Sequence, residues 1–181
     1  VLAETQSRPV LVQLASLALQ QLGARSFVVT VPSPASGAIP VRSTGASTAL
    51  AGHDAVVHSL ARCALVVDCT VEGLQHAAEL PAILGGGARG LAVSNEHPEI
   101  LERCLPRAED ETIVRDAMRR LKSAKRMNVF SRAGTDLRID LAGARVGGVW
   151  GFTSKPGTLT HWPGGLALAF PASGCVNGTL V

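Results

Sequence analysis

Two spacings of apolar residues alternate over the first 124 positions of this 181-residue chain. In "SRPVLVQLASLALQQLG" (7–23), Val10, Leu11, Leu14, Leu17, Ala18 and Leu22 recur at the period of a helix with one wide apolar face. Ser7 can cap that helix, Pro9 suits its first turn, and Gly23 supplies a stop. "RSFVVTV" (25–31) is a short continuous apolar run and predicts a buried strand, while "PSPASGAIPVRSTG" (32–45) has the composition of a loop. The alternation repeats: a helix over 54–62, a strand "ALVVD" (64–68), a short helix around 77–84, a strand "ARGLAVS" (88–94) and a short helix "PEILERCL" (98–105). Segment 109–124 predicts a longer amphipathic helix. Glu109, Asp110 and Glu111 sit at its start and Arg119, Arg120 and Lys122 near its end, complementing the helix dipole. That charge pattern reads as a solvated face, not a binding patch.

Strands alternating with helices imply an α/β fold, with a mostly parallel sheet covered by helices on both faces. From about 125 the texture changes. "MNVFSR", "DLRIDL", "ARVGGVWGF", "GLALAF" and "CVNGTLV" are strand-like pieces separated by Gly, Pro and Asp. The expected organisation is an α/β domain over 1–124 and the start of a β-rich second domain over 125–181. The chain opens on Val1, not Met, and closes on the strand-like "VNGTLV". It reads as a piece of a longer protein, cut at both ends.

Composition narrows the class. Hydrophobic residues make up 46% and charged residues 17%, ample for a core and too apolar for a disordered chain. A net charge of +3, scattered along the chain, does not form a nucleic-acid surface. No apolar run approaches the roughly 20 residues of a membrane span, and no secretory signal is evident. Cys63, Cys69, Cys104 and Cys175 form no C-x-x-C pair and read as reduced thiols of a cytoplasmic protein. "NGT" at 177–179 matches a glycosylation sequon but lacks a secretory route.

Several motifs invite chemistry. "GGGARG" (85–90) satisfies G-x-G-x-x-G, yet it follows a predicted helix and precedes a strand, the reverse of a dinucleotide-binding turn. A flexible helix-to-strand turn explains it. His53 and His58 are five apart, not the four that would place two ligands on one helical face. His97 precedes Pro98 and suits the start of a helix, although it also falls just beyond a strand end. His76, in "VVDCTVEGLQH", lies where a buried strand runs into a loop, the edge at which parallel sheets bind ligands, and Asp68 and Glu72 share that region. His161 in "KPGTLTHWPGG" is held between turn-formers beside Trp162, in a chain with only four Phe, two Trp and no Tyr. For both histidines a packing role and an acid/base role stay open on these grounds. No sequence-local metal motif, nucleophile elbow or P-loop is present.

In series, "VVDCTVEGLQHAAELPAIL", "LAVSNEHPEILERCLP", "AGTDLRIDL", "THWPGGLALAFP" and "VNGTLV" resemble the 2,5-dihydroxypyridine 5,6-dioxygenase family, which shares a superfamily with the aminopeptidase T type of metallopeptidase. The resemblance implies an Fe(II)-dependent, ring-opening extradiol-type dioxygenase. Its iron ligands are expected downstream of "NGTLV", outside this chain, so that 125–181 begins a truncated metal-binding domain and this chain alone is expected to be inactive. It implies a small aromatic N-heterocycle and O₂ as substrates, the remaining C-terminal part of the protein as a partner, and a homo-oligomer. By the same carry-over His76 and His161 match acid/base or substrate-orienting positions, Leu74 a pocket wall, and Gln75 a departure from the family pattern. Trp162 is a further candidate for the pocket wall. Leu166, in "PGGLALAFP" (163–171), stands where the peptidases keep a metal-ligand glutamate, and so adds apolar surface for an aromatic substrate. An aminopeptidase T-like metallopeptidase and a non-catalytic ligand-binding α/β module are the alternatives.

Overall fold

The computed structural model describes residues 1–34 and 47–181. Most of the expected 32–45 loop therefore lies outside the described residues. The chain divides into two compact units. One comprises Val1–Leu105 with Gly151–Gly164, the other Pro106–Trp150 with Gly165–Val181.

The first unit is built on a parallel sheet. Its strands are β1 (Leu2–Glu4), β2 (Val29–Val31), β3 (Leu65–Asp68), β4 (Arg89–Ala92) and β8 (Leu159–His161), in the order β2-β1-β3-β4-β8. Helices α1 (Pro9–Gln21), α2 (Asp54–Ala61), α3 (Leu80–Gly85) and α4 (Pro98–Arg103) connect them, and a 3₁₀ turn, Leu74–His76, follows β3. Successive side chains of a strand point to opposite faces, and this divides the core in two. Val66 joins Leu2, Val31, Leu60, Leu74 and Ile83 on the α2/α3 face. Val67 and Cys69 join Leu11, Val93 and Leu101 on the α1/α4 face. Burial on both faces is why β3 reads as an unbroken apolar run rather than an alternating one.

The α/β architecture with a mostly parallel sheet is as the pattern implied. "GGGARG" is the helix-to-strand turn expected of it: α3 ends at Gly85, Gly87 takes φ +96°, and β4 begins at Arg89. Two elements differ. Strand β1, which pairs with both β2 and β3, is only three residues long and too short to show a period. "LTH" falls between turn-formers in the segment expected to open the second domain. It is strand β8, parallel to β4 at the edge of the first unit's sheet.

The second unit carries α5 (Asp110–Ser123) and strands β5 (Arg126–Phe130), β6 (Asp136–Asp140), β7 (Arg145–Val149), β9 (Leu166–Phe170) and β10 (Val176–Thr179). Strands β10-β6-β5 form one antiparallel sheet and β7-β9 another. Helix α5 packs over Gly148, where an added Cβ would run into Val114 and Met118. On its exposed side Glu111 pairs with Arg115 at 2.7 Å and Asp116 with Arg119 at 2.6 Å, so its charges serve one another. The partition therefore departs from a cut at 124: α5 belongs with the β-rich unit, and 151–164 returns to the parallel sheet.

Candidate functional site at the carboxyl edge of the parallel sheet

Ligands of open α/β sheets bind beyond the carboxyl ends of the strands, so the register of those ends decides what can meet there. Asp68 at the end of β3 is level with Ala92 of β4, and Ala92 is level with His161 at the end of β8. The loop holding His76 and the strand holding His161 thus open on one edge, with β4 between them.

Asp68 organises the loop after β3. It is 1% exposed. Its Oδ1 accepts from the Thr70 amide at 3.0 Å and the Thr70 hydroxyl at 2.6 Å, and its Oδ2 accepts from the Leu74 amide at 2.6 Å. Burial pushes its carboxyl above the ordinary aspartate value, while these three donors pull it back. Gly73 stands inside the loop at φ +74°, and a Cβ there would approach Ser94 Oγ to 2.5 Å. Only glycine fits both that conformation and that space. Glu4 at the end of β1 ties down the same loop by accepting the Val71 amide at 3.1 Å. Ser7 donates to the Cys69 carbonyl at 2.7 Å. The result is a tightly braced turn that ends in an exposed imidazole, His76.

His161 is half-buried, and its Nδ1 lies 3.1 Å from the Pro163 carbonyl oxygen. A carbonyl only accepts, so in this contact Nδ1 carries the hydrogen and the neutral ring keeps a lone pair on Nε2. A backbone contact that fixes the tautomer leaves a base of defined direction. The Trp162–Pro163 peptide that follows is cis.

The other expected residues are not gathered at this edge. Leu74 is 2% exposed and packs into the α2/α3 core. Trp162 packs on the α1/α4 side, donates from Nε1 to the Cys104 carbonyl at 2.7 Å, and lines an apolar groove of about 540 Å³ with Leu11, Leu14, Leu91 and Leu101. Leu74 and Trp162 therefore face opposite sides of the sheet. Leu166 opens β9 of the second unit and is 49% exposed. His97 is the cap residue of α4, its Nδ1 accepting from the Glu99 amide at 3.4 Å. Among the described residues no three His, Cys, Asp or Glu side chains form a group able to hold a metal ion. No helix among them is long and apolar enough to cross a membrane.

Ser94 is the position that pattern reading passed over. It is 5% exposed and holds φ +48°, unusual for a residue with a side chain. Nothing in "LAVSNEH" announces a left-handed serine.

Trp162 gives a stability test. Trp162→Phe removes the Cys104 bond and part of the ring contact, and is expected to cost about 1–2 kcal/mol, measured as a lowered Tm.

The geometry is that of a doubly wound α/β unit whose carboxyl edge presents two imidazoles. Comparison with known proteins gives that class a family. The profile of NicX, 2,5-dihydroxypyridine 5,6-dioxygenase, matches residues 1–181, and the chain belongs to this family. It is 33% identical over 184 residues to the 2,5-dihydroxypyridine 5,6-dioxygenase of Pseudomonas putida KT2440, an alignment covering 100% of this chain and 52% of that one. The solved structure of 2,5-dihydroxypyridine dioxygenase from Pseudomonas putida KT2440 superposes with a TM-score of 0.82 over 99% of this chain and 52% of that chain. The chain spans about half the length of the curated relative it matches.

Proposed function

We propose that the full-length protein opens the ring of a dihydroxypyridine with O₂, in the manner of a conversion of 2,5-dihydroxypyridine to N-formylmaleamate. Both oxygen atoms enter the product as the C5–C6 bond breaks. C5 leaves as a carboxyl group and C6 as an N-formyl group, with no external reductant. Family membership supports the reaction class. The observation that supports the role of this chain is the common edge: β3, β4 and β8 end in register, which favours one crevice for both histidines.

In this reading His161, with Nδ1 held by the Pro163 carbonyl, takes a hydroxyl proton on Nε2 as the ring is attacked. His76, on the braced loop after β3, returns a proton or orients a ring oxygen. Leu74 acts from within the core by fixing that loop; Trp162, in the α1/α4 groove, and the exposed Leu166 each offer apolar surface. Fe(II) is the metal of the proposal. Its ligands are expected outside the described residues, among which no three His, Cys, Asp or Glu side chains form a group able to hold a metal. We include a cytoplasmic homo-oligomer in the proposal. Four cysteines that remain free thiols support the reducing compartment. A charge-free α1 with Val10, Leu14 and Leu17 exposed supports the assembly.

The test is turnover. Full-length protein loaded with Fe(II) is expected to consume 2,5-dihydroxypyridine with matching uptake of O₂, read as loss of the substrate's absorbance. Absence of turnover with iron bound overturns the proposal. His76→Ala is expected to lower kcat by roughly 10²-fold, the scale of a lost acid/base group, at unchanged iron content. Loss of iron in that variant would instead place His76 at the metal.

A further inference from the structure

Ser94 stands at the centre of the carboxyl edge. It follows β4 by two residues, and β4 separates the strand that leads to His76 from the strand that ends in His161. Its backbone is over-determined. The amides of Val93 and Ser94 both donate to the Asp68 carbonyl, at 2.9 and 3.0 Å, which turns the chain across the end of β3. The turn leaves Ser94 at φ +48°, a left-handed conformation that is strained for a residue bearing a Cβ. Glycine would adopt it freely, and the chain uses glycine at other turns of this unit, Gly73 and Gly87 among them.

What serine has there that glycine lacks is a hydroxyl. Ser94 is 5% exposed as a residue, yet its Oγ makes no hydrogen bond among the described residues and is not one of the fully buried polar atoms left without a partner, so the hydroxyl keeps access to the edge of the sheet. A hydroxyl so placed is available to a ligand that enters there. The neighbouring groups are already committed. Asp68 takes three donors, Thr70 gives its hydroxyl to Asp68, and Gly73 offers no side chain and lies against Ser94 Oγ. Ser94 is thus the free donor and acceptor on the wall between the two histidine-bearing elements.

We propose that Ser94 is a substrate-contacting residue, its hydroxyl donating a hydrogen bond to a ring oxygen of the dihydroxypyridine. This assignment rests on the ring-opening function proposed above. It makes Ser94 a specificity element as well. A pyridine lacking the matching oxygen covers the hydroxyl without pairing it, so discrimination comes from the unmet donor.

The experiment uses full-length protein in three forms: wild type, Ser94→Ala and Ser94→Gly. Wild-type turnover of 2,5-dihydroxypyridine decides the underlying function separately from Ser94, and an inactive iron-loaded wild type overturns both. With an active wild type, substrate affinity is measured by titration in the absence of O₂, with KM and kcat alongside. Losing one hydrogen bond is expected to raise Kd and KM about 3- to 10-fold in both variants. Ser94→Gly, which relieves the backbone, is expected to keep or raise the wild-type Tm. Discrimination against monohydroxypyridines is expected to shrink in parallel. Wild-type Kd and KM in both variants would overturn the assignment. So would a loss in Ser94→Ala that Ser94→Gly restores, since the effect would then belong to the backbone and not to the hydroxyl.

Discussion

Full-length protein carrying His161→Ala is expected to lose turnover of 2,5-dihydroxypyridine by about 10²- to 10⁴-fold, the range set by removing a positioned general base. The expectation follows from the two constraints on the ring. Strand β8 fixes the backbone of His161 level with Ala92, and the Pro163 carbonyl fixes Nδ1 as the protonated nitrogen. Alanine keeps the strand pairing, which is made by backbone groups, and removes only the imidazole. The loss should therefore fall on kcat, with KM, iron content and Tm close to wild type. Added imidazole should restore part of the rate, because the small base can enter the space the ring leaves. A variant that turns over at the wild-type rate would remove His161 from the chemistry. A variant that has lost its metal would move it to another role.

The fold was legible where burial is symmetric and illegible where geometry is local. "ALVVD" and "ARGLAVS" are apolar without alternation because helices cover both faces of β3 and β4. The glycine at 23 and the proline at 98 sit where α1 stops and α4 starts. Strands β1 and β8, three residues each, gain their identity from neighbours distant in sequence, and no period can show that. The same limit explains the boundary near 124. The return of 151–164 to the first sheet is a long-range pairing of Gly90–Ala92 with Leu159–His161. At the site, His76 and His161 were found through a resemblance in order and spacing, and the register shows that they share an edge. Leu74 and Trp162, expected together as a pocket wall, pack on opposite faces of the sheet, Leu74 from the 3₁₀ turn after β3 and Trp162 from the position after β8. Ser94 left no mark in composition or motif, since its distinguishing property is a backbone angle.

Asp68→Ala is expected to be the most destabilising single change at the edge. It strips the acceptor from three donors at once: the Thr70 amide, the Thr70 hydroxyl and the Leu74 amide. Thr70 is 0% and Leu74 2% exposed, so water does not readily replace the lost partner. Leaving such groups unmet costs about 1–3 kcal/mol each, and with some relaxation of the loop a total of about 3 kcal/mol or more is expected. Asp68→Asn separates charge from shape. It keeps one carbonyl oxygen for Thr70 but turns an N–H donor toward the Leu74 amide, so it too should be less stable than wild type. The pH dependence then has a definite sign. Burial raises the folded-state value of Asp68 above the ordinary 3.8, so the native protein binds that proton more tightly than the unfolded chain. Its contribution to stability is full below the ordinary value and declines as pH rises through the raised one. Asparagine does not titrate, so the deficit of Asp68→Asn relative to wild type should be largest in acid and narrow as pH rises from about 4 across that window. Thermal unfolding of the three proteins over a pH series reads this directly. A deficit that instead widens with pH would mean that the three donors outweigh burial, and that Asp68 is held as a stabilised carboxylate.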